Sequence, residues 1–212
     1  MTLARLCLLA ALPLCLVLQG CIEMAAVGAG AAVASAIDRR TTGAQVDDEG
    51  IELRATNRVS ERFGDRVHVN ITSFNRSVLI TGEAPDAKAK DEIEKIVAGV
   101  ANVRAVTNDL EVRPNTTLGN RANDATITGK VKARFLDARK FNPFHVKVVT
   151  ERSVVYLLGV VTEAEAAEAV EIARTTGGVR KVVRMFDYCK PTDPACAPRD
   201  KPKAEEPKKS GS

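Results

Sequence analysis

The sequence predicts an α/β chain, an α+β sandwich built as two tandem copies of one small module. Each copy is ordered helix-strand-strand-helix-strand, with a three-stranded mixed sheet and two helices on one face. Three observations predict this. Arg76-Ser77-Val78-Leu79-Ile80-Thr81-Gly82 recurs as Arg152-Ser153-Val154-Val155-Tyr156-Leu157-Leu158-Gly159, one residue longer. After each glycine come three residues, an acid (Asp86, Glu163), a helical stretch and a Val-led strand, Val103-Arg104-Ala105-Val106 or Val179-Arg180-Lys181-Val182. The two glycines stand 77 residues apart and the two Val-led strands 76. Self-similarity at that distance means a duplicated domain, because each unit is long enough to close its own core.

In the first module Ile51, Ala55, Val59 and Phe63 recur every four residues, an apolar helical stripe. Val67, Val69 and Ile71 alternate with His68 and Asn70, so one strand face is buried. Asn75-Arg76 turns the chain into Val78-Leu79-Ile80, which gives an antiparallel hairpin. Asp86 caps a second helix carrying Ile93, Ile96, Val97 and Val100, and Val106, Leu110 and Val112 mark the third strand. The second module repeats the order with Ile127, Val131, Phe135 and Ala138; Val146 and Val148; residues 154–158; Ala169, Ile172 and Ala173; and residues 182–186. Units of only ~60 residues are marginal alone, so the two are expected to dock on each other. The predicted modules span residues 47–113 and 124–189, joined by a linker at 114–123.

The ends read differently. Arg5 precedes an uncharged apolar run over residues 6–18, shorter than the ~20 residues of a membrane-spanning helix, which fits a secretory signal in residues 1–20. The run ends in Leu18-Gln19-Gly20-Cys21, which resembles the bacterial lipobox, so Cys21 is expected to be lipidated. Gln19 stands where the motif usually has a small residue. By resemblance to sorted lipoproteins, Ile22 rather than Asp after the cysteine implies the outer membrane, with the protein facing the periplasm. Residues 21–46 read as a tether, small-residue at first and polar from Asp38 onward. Its Gly28-Ala29-Gly30 lacks a preceding strand and has Val33 where a dinucleotide loop needs Gly or Ala. Residues 190–212, rich in Pro, Lys and Glu, read as a disordered tail. Of five cysteines, Cys7 and Cys15 leave with the signal, and Cys189 and Cys196 remain as a pair expected to form a disulfide in an oxidising compartment.

The short strand, Gly, acidic helix start and Gly177-Gly178-Val179-Arg180-Lys181-Val182 together resemble the BON domain, named for bacterial osmotic-shock and nodulation proteins. In the first module Val100-Ala101-Asn102-Val103 replaces the glycine. With the lipobox and Thr42-Gly43-Ala44-Gln45-Val46-Asp47-Asp48, the chain is similar to dual-BON outer-membrane lipoproteins over residues 18–188. That resemblance implies a protein localised to the outer membrane and division site, which binds phospholipid.

No catalytic constellation stands out. His68 and His145 precede strand valines at equivalent places and are expected to face solvent, and neither has metal-ligand spacing to other Cys, His or acidic residues. No Gly-x-Ser-x-Gly elbow or phosphate loop occurs, and a compact acid–histidine pair is not expected. Cofactors, metals and small-molecule substrates are therefore not expected. Removing Arg5 leaves 30 basic against 27 acidic residues, short of a nucleic-acid-binding stripe.

What remains is a surface. On a wheel of residues 124–140 the apolar stripe faces the sheet, Lys130 and Arg134 lie on one flank, Lys132 and Arg139 on the other, and Leu136 points outward near Gly129 and Lys140. An exposed Leu ringed by cations suits an anionic bilayer, but a soluble helix with one incidental Leu has the same pattern. The resemblance favours the bilayer, since it implies anionic phospholipid binding through this helix, with Thr126 standing where relatives often place an aromatic residue. Phe141 and Phe144 are candidate substitutes. The alternative is a scaffold docking on outer-membrane assembly, cell-wall or division partners.

Overall fold

The computed structural model describes residues 38–115 and 117–196. Helix α1, Thr42–Phe63, leads into strands β1, His68–Phe74, and β2, Ser77–Ala84, then helix α2, Ala87–Ala98, and the short strands β3, Ala105–Asn108, and β4, Glu111–Val112. The order repeats as α3, Leu118–Ala138; β5, Val146–Glu151; β6, Val154–Val161; α4, Glu163–Arg174; and β7, Lys181–Tyr188.

In both modules the first strand pairs antiparallel with the second, and the strand after the crossover helix pairs parallel with it. The second module's β6–β7 ladder is unbroken over eight pairs. In the first module the parallel strand breaks at Asp109 and Leu110, Leu110 turns into the core, and β4 resumes pairing with β2. Helices begin earlier than the apolar pattern alone indicates. Thr41 caps α1 by accepting from the Ala44 amide, so residues 42–46 are helical where the polar end of the tether was expected. Thr117 likewise caps α3 inside the expected 114–123 linker.

Each module closes a core between its helices and one sheet face. Ile51, Ala55, Val59 and Phe63 of α1 and Ile93 and Val97 of α2 cover Val78 and Ile80. Ile127, Val131 and Phe135 of α3 and Ala169, Ile172 and Ala173 of α4 cover Val148, Val155 and Leu157. A third cluster joins Phe74 and Leu79 of the first module to Tyr156 and Leu158 of the second, with Val149, Val154, Val160, Val183 and Met185 packed around them. Strand alternation places these residues on the faces turned away from the helices, so the modules dock sheet to sheet. Burying each of the four large side chains contributes ~1.5–3 kcal/mol, which two marginal units need. Polar contacts frame the seam: Tyr156 donates to Asp109 at 2.6 Å, Asn75 to Asp187 at 2.7 Å, and Lys147 to Glu52 at 3.0 Å.

Two repeated devices set the hairpins. Asn75 and Arg76, and Arg152 and Ser153, all have positive φ, the requirement of a tight two-residue turn. None is glycine, and a buried aspartate supports each turn. Asp48 accepts from the amides of Asn75 and Arg76 and from Ser73 Oγ; Asp124 accepts from the amides of Arg152 and Ser153. Gly82 and Gly159 are required by close approach. A Cβ at Gly82 would lie 2.0 Å from the His68 carbonyl oxygen, and one at Gly159 would lie 2.5 Å from that of His145.

Residues 190–196, expected in the tail, form turns in which Cys189 and Cys196 come together with Cα atoms 6.2 Å apart. Cys21, the expected signal and the small-residue tether lie outside the described residues. Among the described residues no helix is long and apolar enough to cross a membrane.

Candidate functional site

The α3 surface is set by which residues the core claims. With Asp124, Ile127, Val131 and Phe135 buried, Ala122, Thr126, Gly129, Ala133 and Leu136 fall on the solvent side. Leu136 is 57% exposed. Thr126 is exposed too, its hydroxyl donating to the Ala122 carbonyl, so it offers a methyl group rather than an aromatic anchor. Lys130, Lys132 and Arg139 are exposed and have no ion-pair partner among the described residues. Lys140 stands 3.9 Å from Glu168. Asp137 is the one acid exposed over residues 125–140.

One of the expected cations is placed differently. Arg134 is half-buried and donates from Nη1 to the Ile172 carbonyl and to Thr176 Oγ1, both at 2.8 Å. A guanidinium at the C-terminus of α4 satisfies carbonyls that the helix leaves open. Arg134 is thus part of the packing between α3 and α4, not an outward flank. Of the two phenylalanines beyond α3, Phe141 packs edge-on against Phe135 with ring centroids 5.0 Å apart, while Phe144 is 64% exposed. Phe144 alone is available to an outside partner.

The equivalent helix of the first module is spoken for. Arg62 pairs with Glu92, Arg58 donates to the Gly99 carbonyl, and Arg54 folds over Gly50. Its exposed Val46 and Leu53 sit among Glu49, Glu52 and Glu61.

The histidines depart from the solvent-facing expectation. His68 Nδ1 lies 2.9 Å from Glu83 Oε2, a compact acid–histidine pair. His145, in the short helical turn Pro143–His145, has its Nδ1 3.5 Å from Glu165 Oε1. Hairpin register held the signal for the first pair: counting outward from the Asn75–Arg76 turn places His68 opposite Glu83. Glu165 also takes two bonds from Arg39, at 2.6 and 3.0 Å, and caps α4 with Thr162. Burial works to raise the Glu165 pKa, but the bonds from Arg39 and Thr162 outweigh it and hold it at about 2. Arg39 further donates to the Val160 carbonyl, whereas neighbouring Arg40 pairs with Asp48 at 2.7 Å and lies over the Phe74 ring at 4.2 Å.

A duplicated helix-hairpin-helix-strand module, with an open basic face on α3, defines a protein of two repeated α/β modules. The BON domain family matches it twice, over residues 47–114 and 123–190, and the chain belongs to that family. It is similar to the outer membrane lipoprotein DolP of Haemophilus influenzae, 37% identical over 174 residues that cover 81% of this chain and 90% of that protein. It is also similar to the 21 kDa hemolysin of Actinobacillus pleuropneumoniae, 31% identical over 72% of this chain and 79% of that one. The osmotically-inducible protein Y of Escherichia coli is 29% identical over 54% of this chain and 58% of its own.

Proposed function

We propose that this is a non-enzymatic outer-membrane lipoprotein, anchored through Cys21 and facing the periplasm, whose second module binds anionic phospholipid and supports envelope integrity. The observation that carries the reading is the exposed α3 stripe of small residues and Leu136, edged by Lys130, Lys132 and Arg139. Small residues let the helix lie close to a headgroup layer, Leu136 enters the acyl boundary, and the cations meet phosphates. Each cation near such a surface contributes ~1 kcal/mol, an attraction that salt screens within a Debye length. Phe144 adds an aromatic edge at the end of the helix and fills the role that Thr126 does not. The relationship to a named outer membrane lipoprotein supports the location and the anchor.

The test is co-sedimentation of residues 38–212, which lack Cys21, with vesicles. Binding to anionic but not zwitterionic vesicles, lost at high salt, is expected. Lys130→Glu with Lys132→Glu should weaken it roughly a hundredfold, and Leu136→Asp should abolish it. Arg134 is left intact, because reversing it would break the α3–α4 packing. Vesicle binding that survives the double reversal in folded protein would point instead to a scaffold for outer-membrane or division-site partners.

A further inference from the structure

Where the two sheets meet, His68, Glu83 and Glu151 each offer a ligand atom, and these atoms all lie within 4.8 Å of one another. Both modules contribute. His68 and Glu83 are cross-strand partners on β1 and β2, and Glu151 ends β5. Glu83 is fully buried and Glu151 nearly so.

Charge separates this cluster from an ordinary ion-pair network. Glu83 and Glu111 flank one guanidinium, that of Arg152, which lies 3.6 Å from Glu83 Oε1 and 3.3 Å from Glu111 Oε2. Glu111 also pairs with Arg113 at 2.8 Å, whereas Glu151, buried, accepts from Asn70 and has no ion-pair partner among the described residues. An independent sign is Thr81. Its Oγ1 is buried without a hydrogen-bond partner, and it sits on the same sheet face as Glu83, in register with Asn70.

The carboxylates are also held in place. Asn70 donates to Glu151 Oε2 at 2.7 Å and leaves Oε1 open, while Arg152 sits by Glu83 Oε1 and leaves Oε2 turned to His68. Such outer contacts orient the ligands of metal sites.

We propose that His68, Glu83 and Glu151 form a divalent transition-metal site of zinc type that ties the two modules together. One imidazole nitrogen and two carboxylate oxygens are zinc ligands, and three protein ligands leave a fourth position for water. A dication neutralises Glu83 and Glu151, while His68 coordinates through an imidazole nitrogen. Zinc at ~2.0–2.2 Å from each ligand sets them ~3.3–3.6 Å apart, so the widest separation closes by about 1 Å. The expectation of no metal rested on sequence spacing, which does not register pairing across a hairpin and across a domain seam.

The test uses full-length protein in detergent, stripped by chelator and titrated with zinc chloride against a chromophoric competitor. One zinc per chain is expected, with affinity at least tenfold weaker in His68→Ala and in Glu151→Gln. Zinc should raise the unfolding temperature of the wild type by several degrees and leave both variants unmoved. Glu151→Gln is near-isosteric and removes the disfavoured charge, so it should fold at least as well as wild type without metal. Cobalt in place of zinc should give the intense visible bands of a four-coordinate site in the wild type, which needs no variant to interpret. Zinc bound well below one per chain, affinity in Glu151→Gln equal to wild type, or a cobalt spectrum matching the aqueous ion would each overturn the proposal.

Discussion

The first helices of the two modules share one fold but not one charge: α1 carries three arginines against five acids, α3 four cations against two acids, and the cations are spent differently. On α1 the arginines are consumed by the protein: Arg58 by a carbonyl at the end of α2, Arg62 by Glu92. On α3 one arginine, Arg134, is consumed by the α4 terminus, and the lysines are left outward. A duplicated module can thus keep its core positions while one copy turns its helix surface to internal bonding and the other to an outside partner. The sheets differ in the same way. The first module offers the seam His68, Asn70, Thr81 and Glu83 beside Phe74 and Leu79, whereas the second offers mainly Val149, Tyr156, Leu158, Val183 and Met185.

The comparison can be broken most severely at the paired glycines. Gly82 combines the shorter clash with a φ of +115°, and the Gly159 clash is longer with no positive φ. Gly82→Val should cost more than ~4 kcal/mol by overpacking and backbone strain, and Gly159→Ala ~2–3 kcal/mol. Urea midpoints read both, and equal midpoints would remove the distinction between the strands.

Next come the buried aspartates under the turns. Asp48 accepts from two amides, a hydroxyl and Arg40, and Asp124 from two amides. Asp48→Ala should therefore cost ~3 kcal/mol or more and Asp124→Ala ~2 kcal/mol. Thermal unfolding in the reverse order would show that the turns do not depend on these bonds as described.

The helix surfaces give a sharper functional contrast. Arg58→Glu with Arg62→Glu changes charge as much as the α3 double reversal, but acts on cations already bonded. Its effect on anionic-vesicle affinity should stay within a few-fold, against the roughly hundredfold loss expected from α3. Equal losses would mean that net charge, not the α3 face, drives association.

The smallest effect belongs to the cysteines, which have no counterpart in the first module. Cys189 follows β7, its amide bonded to the Val161 carbonyl. A disulfide to Cys196 closes a loop with a sequence separation of 7, and loop entropy limits its contribution to about 2.5 kcal/mol. Thiol titration of non-reduced protein should find no reactive sulfur at either position, and reduction should lower the unfolding temperature only slightly.

Much of the fold was legible because burial imposes period: Ile51, Ala55, Val59 and Phe63 repeat as a helix must, and Val67, Val69 and Ile71 alternate as a half-buried strand must. Helix starts were less so, since Thr41 and Thr117 act as caps only through their dihedrals, and both lie in polar stretches. The glycine repeat was visible, but its cause, a carbonyl oxygen on the neighbouring strand, belongs to the pairing. Arg134 shows the limit of a helical wheel, which knows nothing of the carbonyls that another helix ends beside it. The cluster of His68, Glu83 and Glu151 needed two further steps: a register to pair the first two and a docked module to bring the third.

Arg39 and Arg40 are neighbours in the chain but hold different modules: Arg39 holds Val160 and Glu165 of the second, Arg40 holds Asp48 and Phe74 of the first. In mechanical terms this is a split fastening. Tension entering along the backbone at residue 39 is shared between both halves before it reaches α1, so the N-terminal helix is not the first element to be peeled away. The fastening on the second half rests on a carboxylate with a pKa of about 2, which stays charged in any but strongly acidic surroundings. A pull on the leading end is therefore resisted by the two modules as one body.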